Sequence, residues 1–141
     1  MKSEGVTVMV AGRSPLGSQA TTRIIKTVLR KEGRSALISL TFVGRDAMRR
    51  LHARSKGVSR TADVLAFILT GPEGLAVGDI YICAWVARRE ARRLRLSVRE
   101  ELTRYVIHGV LHVLGYDHPD DESRLGSPMW RRQERYVTAC R

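Results

Sequence analysis

Polar and apolar residues alternate over Val6–Ala11, and a period of two predicts a strand there. The Pro/Gly-containing stretch Gly12–Gly17 reads as a turn. Residues 19–32 set Ile24, Ile25, Val28 and Leu29 on one helical stripe, with Arg23, Lys26, Arg30 and Lys31 largely off it and Gly33 as a stop. Ala36–Val43 is rich in β-branched and aromatic residues and predicts a second strand. Asp46–Arg54 predicts a short basic helix, and residues 55–61 a polar basic loop. Val64–Leu69 and Gly78–Cys83 read as further strands, separated by a loop at Gly71–Gly74. Ala84–Leu96 predicts a helix with Trp85, Val86 and Leu94 turned to the core. Ser97, with Glu100 three residues on, marks a capping box for a helix that runs to Leu114. Pro128 opens a last helix through Ala139, with Met129, Trp130 and Val137 as its apolar contacts. The order β-α-β-α-β-β-α-α-α predicts an α/β (α+β) fold, a small mixed four-stranded sheet packed with helices. Its length fits residues 1–141 as a single domain.

One helix departs from the amphipathic pattern. Tyr105–Leu114 reads YVIHGVLHVL, apolar nearly all round, which is the mark of a buried helix. Into it are set His108 and His112, four apart and so on one face. Gly115 suits a left-handed helix end, after which Tyr116, Asp117 and His118 can turn back. Three of the chain's four histidines fall in these eleven residues. Neutral imidazoles at this spacing are zinc ligands, and three protein ligands with an open position is the catalytic rather than the structural pattern. We therefore expect His108, His112 and His118 to hold one zinc ion. The alternative is a buried helix with incidental histidines. The spacing H-x-x-x-H-x-x-G-x-x-H also matches the metzincin pattern, a metzincin-like zinc helix. Those proteases place Glu, their general base, directly after the first His. Here Gly109 stands there, which argues against peptide hydrolysis.

Charge sharpens the partner class. The net charge is +11. Residues 1–60 hold 13 Lys/Arg against 3 Asp/Glu, and residues 61–141 hold 12 against 11. Such asymmetry points to a polyanion, RNA or DNA more readily than a membrane, or else to a solvated arginine-rich surface. No apolar run approaches a membrane span, and the first residues do not read as a signal peptide. Cys83 and Cys140 form no C-x-x-C motif, so a reducing, cytoplasmic setting is expected.

Four segments in order resemble the YbeY family of metal-dependent endoribonucleases and rRNA maturation factors, over roughly residues 36–137. They are residues 108–118 (HGVLHVLGYDH), Ala62–Phe67 (ADVLAF), Gly78–Cys83 (GDIYIC), and Met129 with Gln133-Glu134. The resemblance implies a zinc-dependent, single-strand-specific endoribonuclease acting in small-subunit rRNA 3′-end processing and ribosome biogenesis. Implied partners are single-stranded rRNA and the ribosomal small subunit or its proteins. A non-catalytic, zinc-containing rRNA-binding assembly factor is the alternative. Where the family has Thr and Ser, this chain has Ala62 and Ala66, and a usual asparagine appears as His52. A family arginine implicated in activity falls, without gaps, on Lys56, which keeps the charge but lacks the bidentate fork. Lys56 is thus the expected phosphate clamp, with Arg54 or Arg60 as substitutes in another register. RNA contacts are expected from Arg54, Lys56 and Arg60, with Arg89 and Arg92 on a secondary surface. Asp117 is read either as an acceptor that orients an imidazole or assists proton transfer, or as an ordinary turn residue. Asp63 is a cleft residue or a strand cap. Tyr116 is expected to pack, Met129 to lie in the core below the metal, His52 at the surface and Cys83 inside.

Overall fold

Ile80 is fully buried and flanked on both sides, by Leu40 on one strand and Ala66 on another. It marks the middle of a four-stranded sheet of β1 (Val6–Ala11), β2 (Ser35–Val43), β3 (Val64–Leu69) and β4 (Leu75–Cys83), in the order β1-β2-β4-β3. β1, β2 and β4 run parallel, and β3 pairs antiparallel with β4. The helices are α1 (Ser18–Glu32), α2 (Arg45–Lys56), α3 (Ala84–Leu94), α4 (Val98–Val113) and α5 (Pro128–Ala139), with a 3-10 turn at Glu122–Gly126. This computed structural model describes residues 5–56 (Lys56 by its backbone alone), 63–69 and 71–141. Residues 57–61 of the expected basic loop, with Arg60, and also Ala62, lie outside the described residues.

Strand alternation sorts the core into two clusters. On one face Ile38, Leu40, Ile80 and Ile82 are fully buried in the main cluster, with Ile25, Val28 and Leu29 of α1 and Leu102, Val106, Val110 and Leu111 of α4. The other face supplies Tyr81 and Phe67 to a smaller cluster around Met48 of α2, Leu65, Cys83 and Val86. α4 touches α1, α3, α5, β3 and β4, which is why it is apolar nearly all round. Ser97 caps α4, its hydroxyl accepting from Glu100 N at 3.0 Å. At the other end Gly115, at φ 105°, donates to His112 O while Tyr116 N donates to Leu111 O. This left-handed closure reverses the chain, as the glycine predicted.

Several expectations need correction. Trp85 and Leu94 are 38% and 46% exposed rather than core. The buried face of α3 is Ala84, Val86, Ala87 and Ala91. The guanidinium groups of Arg45 and Arg89 lie instead over the Trp85 ring, 5.0 and 5.1 Å from its centroid. α3 also stops at Leu94 because Arg95 takes a left-handed conformation, φ 59°. His52 is 5% exposed rather than at the surface, since it falls on the inner side of α2 one turn after fully buried Met48. α2 runs on to Lys56, so residues 55 and 56 belong to its last turn and not to a loop. β4 begins at Leu75, three residues before Gly78. The Glu100 carboxylate bonds Arg104 and Arg141 instead of closing a reciprocal capping box.

Candidate metal centre

His108 and His112 project from consecutive turns of α4, and the Gly115 reversal returns His118 to them. Nε2 of His108 is 3.1 Å from Nε2 of His112 and 3.3 Å from Nε2 of His118. What the opposite ring nitrogens meet decides how these contacts are to be understood. His108 Nδ1 is 2.6 Å from Gln133 Oε1, His112 Nδ1 is 3.1 Å from Tyr116 O, and His118 Nδ1 is 2.7 Å from Pro119 O. All three partners are oxygen acceptors, so each Nδ1 carries the hydrogen and each neutral ring leaves a bare lone pair on Nε2. Three lone pairs facing one another repel unless a cation lies between them. Nitrogens bound to one tetrahedral ion at about 2.0–2.1 Å stand roughly 3.3 Å apart, close to both distances measured from His108. The donor set therefore fits a metal ion, and the ligand atoms of all three residues lie within 4.8 Å of one another. Among the described residues this is the one such cluster.

Burial first, and then His112, push His108 down to about 4, against the Gln133 hydrogen bond that favours its charged form. The ring is thus neutral, the form that can ligate, at ordinary pH. Trp130 lies with its ring centroid 6.3 Å from that of His108, in an edge contact. Met129 is buried in the main core.

The Asp117 carboxylate accepts from His118 N at 2.8 Å, shaping the turn, and is exposed. The role of orienting an imidazole falls instead to Gln133 and two backbone carbonyls. Gln133 is fully buried, and the sequence signal that singles it out is its place in the family-like segment of Met129 with Gln133-Glu134. Tyr116, expected merely to pack, donates its hydroxyl to Glu32 at 2.8 Å. Glu32 also accepts from Arg132 at 2.9 Å and from the Tyr136 hydroxyl. This carboxylate ties the end of α1 and α5 to the residue whose carbonyl holds His112. Asp63 is an exposed strand cap, accepting from Val64 N at 2.7 Å. Arg54 is exposed on the last turn of α2, and Arg89 and Arg92 are exposed on α3. Arg89 is also 3.4 Å from the Glu90 carboxylate. The Lys56 side chain and Arg60 lie outside the described residues.

The family profile described as Endoribonuclease YbeY matches residues 14–141. The chain belongs to this family. Two YbeY relatives, each named Endoribonuclease YbeY, show how far the similarity reaches. The protein from Thermotoga maritima is 31% identical over 113 residues, 80% of this chain and 73% of that protein. The one from Anaeromyxobacter is 38% identical over 128 residues, 85% of this chain and 67% of that protein. A solution structure from Thermotoga maritima superposes with a TM-score of 0.68 at 27% identity, covering 95% of this chain and 89% of that one. Among the described residues, no helix of this YbeY chain is long and apolar enough to cross a membrane.

Proposed function

We propose that this chain, an endoribonuclease by family, is zinc-dependent and cuts single-stranded RNA in small-subunit rRNA 3′-end processing and ribosome biogenesis. Its setting in this reading is the cytoplasm, and its partners are rRNA and the ribosomal small subunit or its proteins. The observation that carries the zinc is the triad of Nε2 lone pairs, fixed by three oxygen acceptors on the far side of the rings. Family membership carries the substrate class, and the +11 charge agrees with it.

His108, His112 and His118 would hold the ion. Zinc so bound supplies a Lewis acid that polarises a phosphoryl oxygen and lowers the pKa of water. The chain's own groups do the remainder. Asp117, exposed and adjacent to a ligand, takes up or returns a proton. Lys56 acts as the phosphate clamp, and a cation there strengthens as charge builds on the phosphoryl oxygens. Arg54 and Arg60 extend this track, and Arg89 and Arg92 hold phosphates further along. Gly109 withholds a peptidase base.

Incubation of zinc-loaded protein with labelled single-stranded and duplex RNA tests the reading. Cleavage confined to the single strand and abolished by His108→Ala is expected. Binding without cleavage under every divalent metal tried would instead favour a non-catalytic assembly factor.

A further inference from the structure

Gln133 is fully buried, and both ends of its amide are engaged. Oε1 faces His108 Nδ1 at 2.6 Å, and Nε2 donates to Glu134 Oε2 at 2.9 Å. The Glu134 carboxylate is itself gripped by Arg104, Nε to Oε2 at 2.8 Å and Nη2 to Oε1 at 2.9 Å. Arg104 in turn donates Nη1 to Glu101 at 2.7 Å. Arg104 and His108 are four apart on α4, on one stripe, and Gln133 and Glu134 are neighbours on α5. A closed circuit thus leaves α4 at Arg104, passes through α5 and returns to α4 at His108.

We propose that Arg104 and Glu134 are positioning residues that set the tautomer of His108, by locking the Gln133 amide so that its oxygen faces the imidazole. An amide alone can turn over and present either its oxygen or its NH2 group. Only the oxygen demands Nδ1–H, and only Nδ1–H leaves Nε2 bare towards the other two rings. The Glu134 carboxylate removes the choice, because it accepts three hydrogen bonds and offers none. The bidentate guanidinium holds both of its oxygens in place. The inference rests on the reading of the histidines as metal ligands, and it adds that α5, which supplies no ligand, governs the site.

Glu134→Leu removes the lock outright. A Gln at this position would not, because Oε2 by itself already accepts from both Arg104 Nε and Gln133 Nε2, and an amide oxygen could do the same. With no acceptor at 134, the Gln133 amide is free to turn and present its NH2 to His108. The readout is the imidazole 15N spectrum of metal-free protein at a pH where the rings are neutral, together with zinc affinity by chelator competition. Wild type should show His108 protonated on Nδ1. The variant should show an Nε2–H fraction and a zinc affinity lower by roughly 10- to 100-fold, the usual effect of removing a group that orients a ligand. If Glu134→Leu does not fold, Arg104→Lys keeps the charge, loses the bidentate grip and should shift both readouts the same way. An unchanged His108 tautomer in the folded variant overturns the proposal, whatever its zinc affinity. Wild type that binds no zinc would defeat the metal reading separately, while the metal-free spectrum would still decide the circuit.

Discussion

Gly109 of α4 lies so close to Ile80 of β4 that a Cβ on it would stand 2.7 Å from Ile80 Cγ2. One turn on, the relationship is reversed: a Cβ on Gly78 of β4 would stand 2.5 Å from Val113 Cγ2 of α4. The helix that carries two of the histidines therefore rests on the sheet at two points where one partner has no side chain. Gly109 is more than the absence of a peptidase base, because this packing leaves no room for one.

Gly109→Ala should accordingly destabilise the protein by about 1–3 kcal/mol, the usual cost of overpacking a close-packed core. Ile80 is fully buried and β-branched, so it cannot swing aside. Urea unfolding of metal-free protein measures this as a lower midpoint at unchanged slope. A midpoint at or above wild type would show that α4 can lift off the sheet without cost. Any such lift should also weaken zinc binding, since His108 is the preceding residue.

Metal binding should appear in stability as well as in content. A ligand held by the folded state alone at a hundred times its Kd stabilises by about 2.7 kcal/mol. Adding zinc to chelator-treated wild type should raise Tm by several degrees, and His112→Ala should erase the rise along with the bound metal. An equal rise in wild type and variant would place the ion elsewhere.

Much of this centre could be read from the chain because it depends on local periodicity. His108 and His112 share a helix face by spacing alone, and Gly115 marks the reversal that returns His118. The strand and helix order followed from hydrophobic period in the same way, with β1, β3 and α5 at their expected bounds. What spacing could not supply was every relation made across elements. Glu32 acts through the Tyr116 turn and no local pattern announces it, while Gln133 stands in a family-like segment that says nothing of its contact with His108 on α4. Size and apolarity predict Trp85 inside. The actual inner face of α3 is made of alanines and Val86, small enough for close helix packing. A polar ring predicts His52 outside, yet its helix turns it inward one turn after Met48.

Acid should weaken the metal-free protein in two stages. His108 is held at about 4, against an ordinary value near 6.5, chiefly by burial. The unfolded ring takes up a proton in that interval and the folded ring does not, so stability falls as pH drops from about 6.5 to about 4. Glu32 and Glu134 belong to the second stage. Burial would raise both, but hydrogen bonds from Tyr136, Tyr116 and Arg132 to Glu32, and from Arg104 and Gln133 to Glu134, bring both below the ordinary carboxylate value. Their contribution is complete above about 4.5 and is lost as pH falls through the folded values. Unfolding free energy measured against pH in chelator should show both declines. His108→Gln should flatten the upper one and leave the lower, and a variant retaining the full upper decline would assign it to other groups.

The RNA track gives a prediction that separates chemistry from binding. Lys56, at the end of α2, is proposed beside the scissile phosphate, whereas Arg89 and Arg92 sit on α3. A clamp that tightens as charge builds in the transition state acts on rate more than on affinity. Lys56→Ala should therefore lower the single-turnover cleavage rate more than it weakens RNA binding, and Lys56→Arg should retain or improve the rate by restoring a bidentate fork. Arg89→Ala and Arg92→Ala should weaken binding with little change in single-turnover rate. Each should also reduce the slope of log affinity against log salt by roughly 0.7 for every single-strand phosphate that the protein no longer neutralises. The Arg89 effect should be the smaller, because its guanidinium already rests on Trp85 and near Glu90. Single-turnover cleavage unchanged in Lys56→Ala would pass the clamp to Arg54 or Arg60, and an unchanged salt slope in Arg92→Ala would remove α3 from the track.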